Sequence, residues 1–164
     1  MKKFIFLFAL SLLACSSSEE PSVAPSEQRV FYDKLTNHGT DKNPVMYIDS
    51  DLFSGVAFEL YPSGQMHREF TYEDGKEVRH TFYYENGQLS SIFNYTADGE
   101  SNGLHQTWHE NGQLEYQANF KNGQFYGLYQ EWYENGQMSH EFTYKDGQFD
   151  GLGKTWDENG VELN

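Results

Sequence analysis

"WHENGQLEYQANFKNGQFYG", residues 108–127, is followed by "WYENGQMSHEFTYKDGQFDG", residues 132–151, which repeats most of its pattern. The leading residues Trp108 and Trp132 lie 24 positions apart, and Trp156 follows after another 24. Self-similarity at a fixed period of this length indicates a repeat architecture, in which each copy packs against its neighbours.

Glycines mark the turns of this repeat. One series follows Asp or Asn, and a second stands mostly in the tripeptide Glu-Asn-Gly. Asn-Gly and Asp-Gly between alternating runs are strong β-hairpin signals, because these turns need positive φ. We therefore assign turns to Gly64, Gly75, Gly87, Gly99, Gly112, Gly123, Gly136 and Gly147. Val at Gly123 should destabilise the fold more than Val at Gly153, which falls within a predicted strand.

The runs between the turns alternate apolar and polar residues with a period of two. Leu114, Tyr116, Ala118 and Phe120 are separated by polar residues, and the same holds for Met138 to Tyr144. This period, with many aromatic residues, is typical of half-buried strands. We predict an all-β fold over residues 31–164, a repetitive antiparallel β-hairpin meander that forms one extended, curled sheet.

The second quoted stretch resembles the bacterial variant of the MORN repeat (membrane occupation and recognition nexus). The resemblance covers about residues 45–162. Bacterial proteins of this kind are often described as YwqK-like antitoxins, which implies binding and neutralisation of a toxin. The residues that match the motif are Trp132, Tyr133, Asn135, Gly136, Met138, Tyr144, Asp146, Gly147 and Gly151.

The N-terminal residues predict export and lipidation. Lys2 and Lys3 precede an apolar run of eleven residues, Phe4 to Ala14, which is too short for a membrane-spanning helix of about 20 residues. The run ends in "LLAC", which resembles a bacterial lipobox and implies a lipid on Cys15, the only cysteine. A plain signal peptide is the alternative. Ser16 after the cysteine implies the outer membrane.

We therefore divide the chain into a lipoprotein signal peptide, residues 1–14, a lipidated disordered tether, residues 15–30, and the repeat domain. The net charge of −14 disfavours nucleic acid and anionic lipid as partners. Solubility alone could explain this charge. A basic protein partner, such as a toxin, is the more specific interpretation.

Other motifs do not support catalysis, a metal or a cofactor. "GLGKT", from Gly151, resembles a phosphate-binding loop but has Gln148 where the first glycine belongs. The segment from Asp98 resembles a calcium loop but ends on His109 where Glu belongs. His105 and His109 would lie roughly 13 Å apart on a polar strand face, too far to share one zinc ion. We interpret them as solvated and predict no enzyme.

The aromatic residues form the main candidate binding surface. We predict that one sheet face carries Trp108, Trp132, Trp156, Phe70, Phe142, Tyr72 and Tyr144, and that Glu131 lies on the opposite face. This face is either a core packed across repeats or a binding groove, because no helix is available to cover it. The functional expectation is a lipid-anchored envelope scaffold for an unidentified protein. The alternatives are an antitoxin and an envelope glycan binder.

Overall fold

The computed structural model describes residues 28–40 and 44–163. Apart from one short 3-10 helix, Tyr32–Lys34, the regular structure in these ranges is β-sheet, so the predicted all-β fold is confirmed. The strands are β1 Arg29–Phe31, β2 Thr36–Asn37, β3 Met46–Ile48, β4 Asp51–Leu52, β5 Gly55–Leu60, β6 Met66–Glu73, β7 Lys76–Tyr83, β8 Leu89–Asn94, β9 Gly103–Trp108, β10 Leu114–Lys121, β11 Gln124–Trp132, β12 Met138–Lys145, β13 Gln148–Trp156 and β14 Glu162–Leu163.

Eleven of these strands form one open sheet in the order β1, then β5 to β14. From β5 onward each strand pairs antiparallel with the next one along the chain, as in the predicted hairpin meander. β1 differs, because it runs parallel to β5 with Arg29 opposite Val56. The described sheet is therefore mixed, with β1 and β14 at its edges.

A second sheet of three strands, β2-β3-β4, was not predicted, because we assigned this region to an incomplete first copy of the repeat. Met46 from this sheet and Phe53 beside it form a buried cluster with Ala57, Phe70 and Tyr72. Phe53 is the largest fully buried side chain of the described residues. The small sheet thus covers one end of the large one, where Met46 and Phe53 close a buried core against β5 and β6.

The hairpins use two kinds of turn. At Asn122-Gly123 both residues have positive φ, 50° and 75°, which is the geometry of a two-residue type I′ turn. In the Glu-Asn-Gly loops only the glycine does: Gly136 has φ 82° and donates its N–H to the carbonyl of Tyr133 at 2.9 Å. All eight glycines assigned to turns have positive φ.

A β-bulge adjoins each of the first three Glu-Asn-Gly loops. Glu131 pairs with His140, but the next pair is Trp132 with Met138, so Ser139 is an extra residue in β12. The same shift occurs in the equivalent hairpins β7–β8 and β9–β10. Bulges of this kind re-aim the neighbouring side chains and increase the local twist.

The predicted signal peptide and the lipidation site Cys15 lie outside the described residues, as does the tether up to Ser26 and Glu27. Arg29 and Val30, which we assigned to the tether, instead belong to β1. Val30 is drawn into the fold because its apolar side chain packs against the buried cluster around Phe70.

Candidate functional site

One face of the large sheet carries a continuous band of rings, here called the aromatic face. Residues paired across neighbouring strands project to the same side of a sheet. The register pairs Phe70 with His80 and Tyr129 with Phe142, whose ring centroids lie 4.1 Å and 5.8 Å apart. Linked ring contacts extend the band from β6 to β13. It consists of Phe70, Tyr72, His80, Phe82, Phe93, Tyr95, His105, Tyr116, Phe120, Phe125, Tyr129, Phe142, Tyr144 and Phe149.

The three tryptophans do not belong to this face, which corrects the sequence expectation. Glu131 pairs with His140 on the aromatic face, and Trp132, the next residue along β11, alternates to the other side. The register and alternation place Trp108 and Trp156 in the same way. Phe70, Tyr72, Phe142 and Tyr144 do lie on the aromatic face. Glu131 also lies there, and not opposite it as expected.

The 24-residue spacing of the tryptophans has a structural cause. Each closes a strand pair beside a loop: Trp108 lies opposite Leu114, Trp132 opposite Met138 and Trp156 opposite Glu162. All three tryptophans are half-buried. The polar face between them carries a chain of side-chain amides, in which Gln117 donates to Gln130 at 2.7 Å and Gln130 donates to Glu141 at 2.8 Å.

The Glu-Asn-Gly loops stack on one another through the asparagine. Asn135 donates its side-chain N–H to the carbonyl of Glu158 in the next loop at 2.7 Å, and its Oδ1 accepts the N–H of Gln137 at 2.9 Å. Asn86 and Asn111 donate to the carbonyls of Glu110 and Glu134 in the same way, at 3.0 Å and 2.7 Å. One side chain therefore shapes its own loop and ties it to the next repeat.

In the first three Glu-Asn-Gly loops, the residue before the glutamate makes a second link to the next repeat. Tyr133 donates its hydroxyl to the carbonyl of Trp156 at 2.8 Å, and Tyr84 donates to that of Trp108 at 2.6 Å. In the middle repeat His109 takes this position, with Nε2 at 2.9 Å from the carbonyl of Trp132. Because a carbonyl only accepts, Nε2 of His109 carries the proton. His109 is thus a structural link between loops.

Two histidines on the aromatic face, His80 and His105, are packed among rings, so His105 is not solvated as predicted. His105 is 5% exposed, stacks near Phe120, and has Nε2 at 2.8 Å from the carbonyl of Asn94. His80 lies 3.5 Å from the carboxylate of Glu77. Burial, then the nearby charge of Arg68, lowers the pKa of His80 to about 4. Burial raises the pKa of Glu77 to about 7. The imidazole of His80 is therefore neutral at physiological pH.

A groove of about 670 Å³ lies where the aromatic face meets the stacked loops, and we call it the loop groove. Its size falls within the range of about 300–1,000 Å³ typical of ligand sites. Thr107, Tyr116 and Ser139 contribute to its lining, as do Trp132 and the last two Glu-Asn-Gly loops. Trp132 is the one residue of the predicted binding set that lines it.

The loop groove is strongly acidic. Glu115, Glu131, Glu134 and Glu158 line it, and none of its described lining residues is Lys or Arg. Burial, followed by the negative charge of Glu131, raises the pKa of Tyr116 to about 12. The groove therefore combines an aromatic wall with a negative potential, which suits a cationic group.

Comparison with protein families gives three matches, to a model described as "MORN repeat variant", at residues 76–97, 101–122 and 125–146. Each match contains one strand pair with its Glu-Asn-Gly loop: β7–β8, β9–β10 and β11–β12. These three segments of the chain are similar to the MORN repeat variant. MORN repeats are generally modules for interaction with proteins or membranes.

The three matched segments cover less of the chain than the resemblance inferred from the sequence, which extends over about residues 45–162. The flanking hairpins β5–β6 and β13–β14 nevertheless close like MORN loops. Gly64 donates to the carbonyl of Tyr61, and Gly160 to that of Asp157, both at 2.9 Å. The same loop geometry thus continues on both sides of the three matched segments.

No curated protein matches the chain. Among solved structures, one similar chain comes from the "Crystal structure of accessory secretory protein 1,2 and 3 in Streptococcus pneumoniae". The sequences are 16% identical, the TM-score is 0.36, and the alignment covers 74% of this chain. This chain spans only about a quarter, 23%, of that one.

Among the described residues, no group of three His, Cys, Asp or Glu is arranged to bind a metal ion. Within residues 28–40 and 44–163, no helix is long and apolar enough to cross a membrane. The features that distinguish this region chemically are therefore the aromatic face and the acidic loop groove.

Proposed function

We propose that this protein is a protein-binding scaffold of the bacterial cell envelope, held there by a lipid on Cys15, and that its binding surface is the aromatic face. The main observation in support is that other elements of the fold pack over only part of this face. The small sheet and Phe53 pack against β5, β6 and the turn after β6, where Gly75 donates to the carbonyl of Phe53 and accepts from the N–H of Met46, at 2.8 Å each. In the described part of the chain, no second layer packs over the face from β8 to β13.

An uncovered band of aromatic side chains can provide binding energy while losing little conformational entropy on binding. Aromatic side chains are enriched among the residues that dominate protein interfaces, and they bring a large rigid area. Phe149, at the outer end of the band, is 52% exposed while contacting Phe142 and Tyr144. A partner that covered it would remove this apolar area from water.

The charge of the chain favours a basic partner. A net charge of −14 attracts basic proteins and repels anionic membranes and nucleic acids. Neutralisation of a basic toxin is one form that this function can take, and the acidic charge is the observation that favours it. A glycan binder would use the three tryptophans, which lie in strand pairs at the loop ends and project from the side opposite the aromatic face.

The proposal can be tested by site-specific photocrosslinking of the full-length lipoprotein in intact cells. A photoreactive phenylalanine analogue would replace Phe149 on the aromatic face. A matched variant would carry it at Leu128, which is 42% exposed and projects from the opposite face, opposite Thr143. We expect a discrete protein adduct from position 149 and none from position 128. An adduct from position 128 alone would place the binding surface on the polar face.

A further inference from the structure

The loop groove and the aromatic face share a wall. Tyr116 lines the groove and also contacts Tyr129 of the aromatic face, with ring centroids 5.2 Å apart. Tyr133 forms another part of the lining, and its hydroxyl is held by the carbonyl of Trp156. A chain segment bound along the aromatic face can therefore direct a side chain into the groove.

The carboxylates of the groove fall into two kinds. Glu131 is engaged, because Tyr129 donates to it and His140 lies 3.0 Å away. Glu134 and Glu158 differ: within the described residues their carboxylates take part in no hydrogen bond and no salt bridge. With no Lys or Arg in the described lining, their negative charge is not compensated inside the groove.

The repeat places these two glutamates at equivalent positions in adjacent loops, and both line the groove. Glu134 and Glu158 occupy the same position in successive loops, and the bond from Asn135 to the carbonyl of Glu158 fixes the spacing of those loops. Glu85 and Glu110 hold the same position in the two preceding loops but do not line the groove. The motif is the same in all four loops, so the position of a loop in the sheet decides whether its glutamate lines the groove.

We infer that the loop groove receives an arginine side chain from an extended basic segment of the partner. A guanidinium group matches both features of the site. Its planar fork can donate hydrogen bonds to two carboxylates at once, and its face can stack on the rings of Tyr116 and Tyr133. This inference rests on the proposed function, because it specifies the chemistry of the protein segment that the scaffold binds.

The test uses a defined probe. An acetylated and amidated tetra-arginine peptide is titrated into the folded, lipid-free protein by calorimetry, beside tetra-citrulline, which has nearly the same shape without the charge. Wild-type protein should bind tetra-arginine and not tetra-citrulline, and the affinity should fall with added salt. The variant pair E134Q/E158Q should bind tetra-arginine at least about five-fold more weakly, as expected for two lost charge contacts.

The matched control is E85Q/E110Q, which makes the same change of charge at the same loop position outside the groove. It should change the affinity by less than about two-fold. Equal losses in the two pairs would overturn the inference, because net charge alone would then explain binding. Absence of tetra-arginine binding to the folded wild type would overturn it as well. Tetra-lysine binding as tight as tetra-arginine would exclude recognition of the guanidinium plane.

The same variants separate this inference from the proposed function. If crosslinking from position 149 persists in wild type while tetra-arginine binding fails, the scaffold remains and the arginine site is wrong. If tetra-arginine binds in the groove but position 149 yields no adduct, the groove remains as a cation site and the aromatic face is not the partner surface. Circular dichroism of each variant checks that the loops still fold.

Discussion

Replacing Asn135 by Ala should destabilise the sheet through the loss of two hydrogen bonds. The side chain donates to the carbonyl of Glu158 at 2.7 Å and accepts the N–H of Gln137 at 2.9 Å. One hydrogen bond contributes about 0.5–1.5 kcal/mol net, and the loop is exposed, so we expect a loss of about 1–2 kcal/mol in the free energy of unfolding. For a domain of this size that is a drop in Tm of about 3–8 °C.

Two further variants separate the contributions of these hydrogen bonds to the free energy of unfolding. Asn135→Asp keeps the oxygen that accepts the N–H of Gln137 but replaces the donor to Glu158 with an oxygen, so it should lose about 1 kcal/mol or more. Asn159→Ala changes the same position in the last loop. There Asp157 accepts the backbone N–H groups, at 2.9 Å each, and no described loop follows. Its loss should stay within about 0.5 kcal/mol.

Urea unfolding followed by circular dichroism measures all three variants on the same protein. Equal losses of unfolding free energy in Asn159→Ala and Asn135→Ala would contradict this prediction. The loss would then come from the loop itself and not from the link between repeats. The prediction also fails if Asn135→Asp is neutral, since the contact with Glu158 would then contribute nothing. A change in the slope of the urea transition would indicate that the repeats have begun to unfold separately.

Three other outcomes are expected. Gly153→Ala should cost about 1–3 kcal/mol by overpacking, because a Cβ there would lie 2.4 Å from Cδ1 of Phe142; in urea unfolding, the double variant with Phe142→Ala should lose less than the sum of the single losses. The pKa of His80 is lowered to about 4 in the folded state, so the unfolded chain binds more protons as the pH falls from about 6.5 to about 4. Wild type should therefore lose stability relative to His80→Leu across that window, and parallel curves of unfolding free energy against pH would contradict this. Cys15→Ala should release the protein from the membrane fraction or block its processing, and an unchanged membrane-bound mature form would refute the lipid anchor.

The hairpin meander was predictable because its signals are local. Asn-Gly and Asp-Gly turns need positive φ, and alternation of apolar and polar residues needs only the pleat of a strand. Both are properties of a few adjacent residues, and the 24-residue period repeats them. This is why the turn at Gly123 and the strands on either side of it could be assigned without any knowledge of their neighbours.

The face on which each residue lies was not predictable in the same way. The two-residue turn at Asn122-Gly123 pairs Lys121 with Gln124, so even-numbered residues of β10 share a face with odd-numbered residues of β11. This offset between the two strands could have been derived from the sequence by counting residues across the turn. The bulge at Ser139 shifts the pairing of β12 relative to β11. It could not be predicted from the sequence, because it depends on how the loop packs against the next repeat.

The remaining features depended on contacts between residues far apart in the chain. Gly153 fits a strand by propensity, but the ring of Phe142 occupies the space above it. His105 alternates like a solvated residue, but neighbouring rings enclose it. The acidic groove arises only when the loops of Glu134 and Glu158 stack beside Tyr116. Local propensity thus decides strands and turns, whereas register and packing, which join separate repeats, decide the face, the burial and the site.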